Sequence, residues 1–270
     1  MGKFRLKRIL LVACAALAAL ALLFVVIRHE TYTLDITRNR VDLGLGRPVR
    51  MVLLADLHLD GPLVEFDREV AREVASYRPE VVILAGDIVN SKKGFPGLTE
   101  FLELAECGAK ILAIEGNWEE ELMLPEEIAG LAAIIARKGG TFLIEEWFDF
   151  DAGGVKLRFG SLGGSYRFDK WRDLLKREPE GEPKRILVAH TPAVRDYLRE
   201  GKFSLILAGH THGGQIAPLA FFIKPFSLLG RYSAGWYGGN LPIYVTRGVG
   251  TSHIPVRIGS RPEISLFELY

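Results

Sequence analysis

The sequence predicts an α/β fold with two packed sheets and helices outside them. Five short runs of branched apolar residues read as strands buried on both faces: 51–55, 81–85, 111–114, 186–189 and 205–208. Stretches with apolar residues at helical spacing separate several of them. No segment after the N-terminus has the composition of a domain linker. The chain of 270 residues is long enough for one large domain with a sizeable core.

The N-terminus stands apart. Met1–Arg8 is basic, and Ile9–Ile27 then runs without a charge. As a helix that stretch spans roughly 28 Å, close to the hydrocarbon core of a bilayer. A cleaved signal peptide needs small residues near the end of its apolar stretch, and Phe24-Val25-Val26-Ile27-Arg28 offers none. Leu11-Val12-Ala13-Cys14 resembles a lipidation site, but most of the apolar run lies after the cysteine. The expectation is an uncleaved single-pass anchor in residues 1–30, followed by a catalytic domain in residues 31–270. Lys3, Arg5, Lys7 and Arg8 favour a cytoplasmic N-terminus, while Arg28, Arg38 and Arg40 compete on the other flank.

Beyond the anchor, Tyr32–Val41 alternates polar and apolar residues and reads as a first strand. Val64–Tyr77 is a helix stopped before Pro79, and Leu98–Glu106 is another. Pro125–Lys138 opens with proline and two glutamates and ends before Gly139-Gly140, as a helix does. Pro192–Arg199 repeats the pattern before Gly201. Gly160–Ser165 reads as a plain loop, and the chain from Ile243 onward as short strands.

Acidic and basic residues nearly balance, giving a net charge of +1. No basic run outside the N-terminus suits a nucleic-acid partner. Cys14 and Cys107 are too differently placed to pair, so no disulfide framework exists.

The chemistry sits at the strand ends. The five runs are followed by Asp56-Leu57-His58, Gly86-Asp87, Gly116-Asn117, His190 and Gly209-His210-Thr211-His212. Four of the six histidines fall there. Ligands bind at the carboxyl ends of strands in α/β sheets. Singly, each signal has a bland reading: Gly-Asp and Gly-Asn are common turns, and His190 before Thr-Pro suits a helix start. The ordered set points to metal. Asp, His and Asn are donors for manganese, zinc or iron, and seven donors exceed one tetrahedral ion. They suit two divalent ions, which roughly 3.5–4 Å apart can activate a bridging water and clamp a phosphoryl group. Hydrolysis by a His-Glu-x-x-His helix has no sequence support.

These residues resemble the calcineurin-like metallophosphoesterases over roughly residues 48–270. Gly209-His210-Thr211-His212-Gly213-Gly214-Gln215, with Tyr244–Thr251 and Arg261-Pro262-Glu263-Ile264, is similar to a membrane-associated bacterial branch. The resemblance implies a four-layer α/β/β/α sandwich. It implies one ion held by Asp56, His58, Asp87 and His212, and a second by Asp87, Asn117, His190 and His210, with Asp87 bridging. Asp56, Asp87, Asn117 and His210 are the catalytic candidates. It further implies a phosphodiester or pyrophosphate hydrolase in the bacterial cell membrane. The alternative is a metal-binding interaction module without activity.

One residue departs from the family pattern. Most members have histidine directly after the asparagine, where it is thought to assist the leaving group, and this chain has Trp118. Indole donates a hydrogen bond but is no general acid near neutral pH. Such help is worth about 10²–10⁴-fold and matters least for a phosphate leaving group. Trp118 therefore favours a pyrophosphate bond or an activated ester. Similar branches that split UDP-2,3-diacylglucosamine, a precursor in lipid A biosynthesis, also have members without that histidine. That substrate requires the catalytic domain in the cytoplasm. Other readings are that Glu119, His253 or a metal-bound water supplies the proton, or that Trp118 simply packs over the turn. Leu219–Leu229 is strongly apolar and reads either as core or as an acyl-chain contact through residues such as Phe221 and Phe222.

Overall fold

The computed structural model describes residues 2–164, 170–179, 181, 183–198, 203–218 and 231–270. Two six-stranded sheets pack face to face. The first contains β1 (Asp35–Val41), β2 (Val49–Leu54), β3 (Val81–Ala85), β4 (Lys110–Ile114), β5 (Thr141–Leu143) and β12 (Glu263–Leu269), in the order β1-β12-β2-β3-β4-β5. The second contains β6 (Trp147–Ala152), β7 (Val155–Leu162), β8 (Lys184–Ala189), β9 (Leu205–Ala208), β10 (Gly235–Tyr237) and β11 (Ile243–Val245), in the order β10-β11-β9-β8-β7-β6. β2 to β5 are parallel, as are β7, β8, β9 and β11.

Alternation along each strand builds three apolar layers. Met51, Leu53 and Ile83 face Phe159, Ile186, Val188 and Leu207 between the sheets. Their neighbours Val52, Leu54 and Leu84 face outward, against α2 (Glu65–Tyr77), α3 (Phe95–Leu104) and α5 (Pro125–Arg137) through Val74, Phe101 and Leu131. On the far side of the second sheet, Leu187 and Ile206 pack with Val194 and with Leu174 of α6 (Lys170–Lys176). The result is a helix–sheet–sheet–helix sandwich.

Helix α1 (Gly2–Tyr32) is long and apolar enough, by length and composition, to cross a membrane. It outlasts its apolar run by a full turn, which moves the start of the first strand from Tyr32 to Asp35. That turn is held by the rest of the fold: Glu30 takes two hydrogen bonds from Arg261 at 2.9 and 2.7 Å and one from the Gly259 N–H. The Thr31 hydroxyl donates to the Ile27 carbonyl and accepts from the Arg257 N–H.

Other expectations shift. Pro192–Tyr197 is a 3₁₀ helix, and α3 starts at Phe95, with a proline in its first turn. Gly160–Leu162 ends β7 instead of forming a loop; a Cβ at Gly160 would sit 3.0 Å from the Trp147 ring. Asn117 opens a six-residue helix, α4 (Asn117–Leu122). Leu219–Leu229 lies outside the described residues.

Candidate metal centre

β2, β3 and β4 of one sheet and β8 and β9 of the other deliver their carboxyl ends to one place. The Asp56 N–H bonds the Gly86 carbonyl at 2.9 Å and the His58 N–H bonds the Asp87 carbonyl at 2.9 Å. The Gly209 N–H bonds the His190 carbonyl at 3.0 Å across the second sheet. All seven sequence-predicted residues meet here. Donor atoms of Asp56, His58 and His212 lie within 4.8 Å of one another, and so do those of Asp87, His190 and His210. The Asn117 side-chain oxygen is 3.0 Å from His190 Nε2. A larger depression of about 740 Å³ lies at the opposite strand ends, around Arg50, Glu80 and Lys110, and is lined by no such cluster.

Asp87 joins the two groups. Its Oδ2 lies 3.6 Å from His58 Nε2 and 3.4 Å from His190 Nε2. Its Oδ1 accepts from the Trp118 N–H at 2.9 Å, one of the donors that the start of α4 leaves unpaired. Gly116 is required beside it, because a Cβ there would overlap the Asp87 carboxylate.

The backbone is strained where the donors sit. Eight described non-glycine residues have positive φ, and five are Asp56, His58, Asp87, His210 and His212, at 49–71°. Each such residue costs on the order of 1 kcal/mol, although Asp and His tolerate this region better than most. Strain gathered on side chains of one chemical class marks a functional site.

Neighbours set the histidine tautomers. His190 Nδ1 lies 2.9 Å from the Ala85 carbonyl, which can only accept, so Nδ1 carries a proton and Nε2 points to Asp87. His58 Nδ1 meets the Asn90 side-chain oxygen at 2.8 Å with the same effect. His212 differs, since Nη2 of the buried Arg257 faces its Nδ1 at 3.2 Å.

From protein groups alone the charges are poorly balanced. Burial pushes the Asp56 carboxyl up to about 7. Burial also lowers His210 to about 3 and drives His212 well below its ordinary value. His190 resists burial: the Asp87 charge and hydrogen bond draw it up to about 10. Two buried acids holding one imidazolium among neutral imidazoles form a set that suits cations better than protons.

Glu119 has a different task from proton delivery. It is fully buried, and its carboxylate accepts from the N–H groups of Asp87, Ile88, Val89 and Gly116 at 2.6–3.1 Å. It clamps the Asp87 and Asn117 turns together. The half-buried Trp118 ring packs edge-on to His58 at 5.0 Å and lies 5.2 Å from the His253 ring. Sequence reading missed Asn90 and Arg257. Asn90 could have been noticed three residues after Asp87. Arg257 carried no signal, since its partner lies 45 residues away.

The two further stretches behind the family resemblance also meet. Glu263 of β12 accepts from Thr37 at 2.6 Å, from the Arg247 N–H and Nε at 3.0 and 2.9 Å, and from the Tyr244 hydroxyl. Arg261 beside it carries the Glu30 contact of α1.

The model of the calcineurin-like phosphoesterase family matches residues 49–214, the span that holds all seven donors. The phosphodiesterase YaeI of Escherichia coli (strain K12) is 30% identical over 233 residues, covering 82% of each chain. YpbG of Bacillus subtilis (strain 168), an uncharacterised protein, is 25% identical and spans 98% of this chain and 96% of its own. A zebrafish (Danio rerio) transmembrane protein with a metallophosphoesterase domain is 30% identical over 98% of this chain and 62% of its own. Such matches leave an inactive binding module without support. With its paired donor clusters at the meeting of two sheets, this chain belongs to the calcineurin-like phosphoesterases and is a metal-dependent phosphoester hydrolase.

Proposed function

We propose that the protein is a membrane-anchored phosphodiesterase or pyrophosphatase with two divalent ions. Asp56, His58, Asp87 and His212 would hold one, and Asp87, Asn117, His190 and His210 the other. The observation that carries this reading is the Asp87 carboxylate, whose Oδ2 faces a histidine of each group. Manganese, zinc and iron all suit the donors. Bound there, such ions supply a nucleophile at neutral pH and charge stabilisation for the phosphoryl group.

The chain's own residues do the rest. Trp118 holds Asp87 through its backbone N–H, and its indole covers the flank of His58. No protonatable side chain stands at position 118, which favours leaving groups stable as anions: a phosphate or an activated alcohol. The apolar α1 supports a lipid-linked substrate, and UDP-2,3-diacylglucosamine is the named candidate. A C-terminal reporter fusion reading outside the cytoplasm would eliminate that nucleotide substrate.

The enzymatic test is direct. Purified protein with manganese should cleave bis-p-nitrophenyl phosphate, and Asp87→Ala should abolish the turnover. Two bound ions without turnover on any activated ester would overturn the reading.

A further inference from the structure

The metal centre opens on one side into a groove of about 680 Å³. His58 and Trp118 form its inner end, and Phe66, Thr31 and Tyr32 its outer end. Thr31 and Tyr32 are the last residues of α1. A second depression of about 480 Å³ shares Tyr32, Val64 and Phe66 with the first and extends it to Arg28. The track therefore runs from the donor cluster to the place where the apolar helix meets the catalytic domain.

Two features make this more than proximity. The end of α1 is fixed: Glu30 is paired with Arg261, and Thr31 with the Arg257 N–H. The rim at that end exposes apolar side chains, Val64 at 55% and Tyr32 at 43% beside Phe66, among the charged Arg28, Glu65 and Glu69. Phe66 stands edge-on to Tyr32 at 5.8 Å, which makes an aromatic wall, and Arg28 lies over the other ring at 4.4 Å. A small soluble diester needs neither exposed apolar side chains at the rim nor a track toward the anchor. An amphiphile resident in the membrane needs both.

We infer that this groove is the binding track for the chain-bearing part of a membrane lipid whose phosphodiester or pyrophosphate reaches the metal centre. This rests on the phosphoesterase reading and adds the substrate's direction of approach. The phosphorus group sits at the donors. The alkyl portion passes Trp118 and Phe66 and leaves over Val64 and Tyr32 beside α1. Substrate thus enters from the plane of the bilayer.

The test uses the full chain in dodecyl maltoside micelles, which contain no phosphorus, with manganese and bis-p-nitrophenyl phosphate as reporter. Phosphatidylglycerol and its deacylated headgroup, glycerophosphoglycerol, are compared as competitors. The lipid should inhibit at a concentration about ten-fold lower or less, the gain expected from burying a few methylenes. Val64→Asn and Phe66→Gln, both in the groove lining, should remove most of that preference and leave turnover without lipid unchanged. Both are neutral replacements, and asparagine at the position preceding α2 favours the helix. Equal inhibition by lipid and headgroup would overturn the track, as would a preference that survives both substitutions. Failure to cleave the reporter before any lipid is added would defeat the phosphoesterase reading, and the track with it.

Discussion

Arg257 Nη2 lies 3.2 Å from Nδ1 of His212, and a guanidinium can only donate. His212 Nδ1 therefore accepts, and the neutral ring carries its proton on Nε2. That is the atom facing His58 Nε2 at 3.3 Å and Asp56 at 3.8 Å. A cation at Nε2 would require the other tautomer, with the proton on Nδ1 and the guanidinium moved aside. The same arginine donates its backbone N–H to Thr31 at the end of α1. One buried residue thus ties the end of α1 to one half of the donor cluster.

Arg257→Lys keeps a cation but loses the fork that also serves the carbonyls of Gly250, Ser260 and Arg247. Bound metal measured by mass spectrometry should fall from about two ions per chain toward one, with the Asp87/His190/His210 group still loaded. Two ions retained at unchanged affinity would make Arg257 a purely structural residue.

Asp56, raised to about 7 by burial, is largely protonated below that pH without metal, so binding at the Asp56/His58/His212 group should release a proton there and affinity should rise with pH up to about 7. Titration calorimetry in buffers of different ionisation enthalpy reads the proton count. No proton released near pH 6 would contradict the raised Asp56 value.

Stability without metal should fall above pH 7. His58, His210 and His212 have lowered values and are neutral there folded or unfolded. Asp56 and Glu119, each raised to about 7 by burial, complete their ionisation early in this range. His190 is then the main remaining centre group, raised to about 10. Its stabilisation is fully present below its unfolded value near 6.5 and is lost as pH rises through about 10. Chelated protein should lose several degrees of Tm between pH 7 and 10, and manganese should reverse the loss. A flat profile would mean that His190 holds no excess proton.

Much of this was legible in advance. Val52, Leu54 and Leu84 alternate with Met51, Leu53 and Ile83, so buried strands announce themselves by composition, and donors following apolar runs mark strand ends. Asn117 was readable as a donor, but not as the first residue of α4. Its helix is under two turns long and stabilised by Glu119 and Asp87, partners distant or buried. The extension of α1 through Tyr32 depends on Arg257, Gly259 and Arg261, more than 200 residues away, and no local pattern encodes it.

That extension has its own consequence. A chain starting at Arg28 keeps the Glu30–Arg261 pair and the Thr31 contact, and one starting at Thr33 loses both. The shorter chain should be less stable by about 1–3 kcal/mol in urea unfolding, the range for charge-assisted hydrogen bonds. Equal stability would show that the end of α1 contributes nothing to the catalytic domain.

Trp118→His places an imidazole at the start of α4 and keeps the backbone N–H that holds Asp87. Rates for diesters with alkyl leaving groups should rise by up to about 10²-fold, while p-nitrophenyl esters change little. Equal effects on both would show that Trp118 does not set leaving-group preference.

The most direct measurement is anomalous diffraction from crystals loaded with manganese. Two peaks roughly 3.5–4 Å apart, with Asp87 between them, are expected. A single peak, or two peaks that do not share Asp87, would contradict the dinuclear centre.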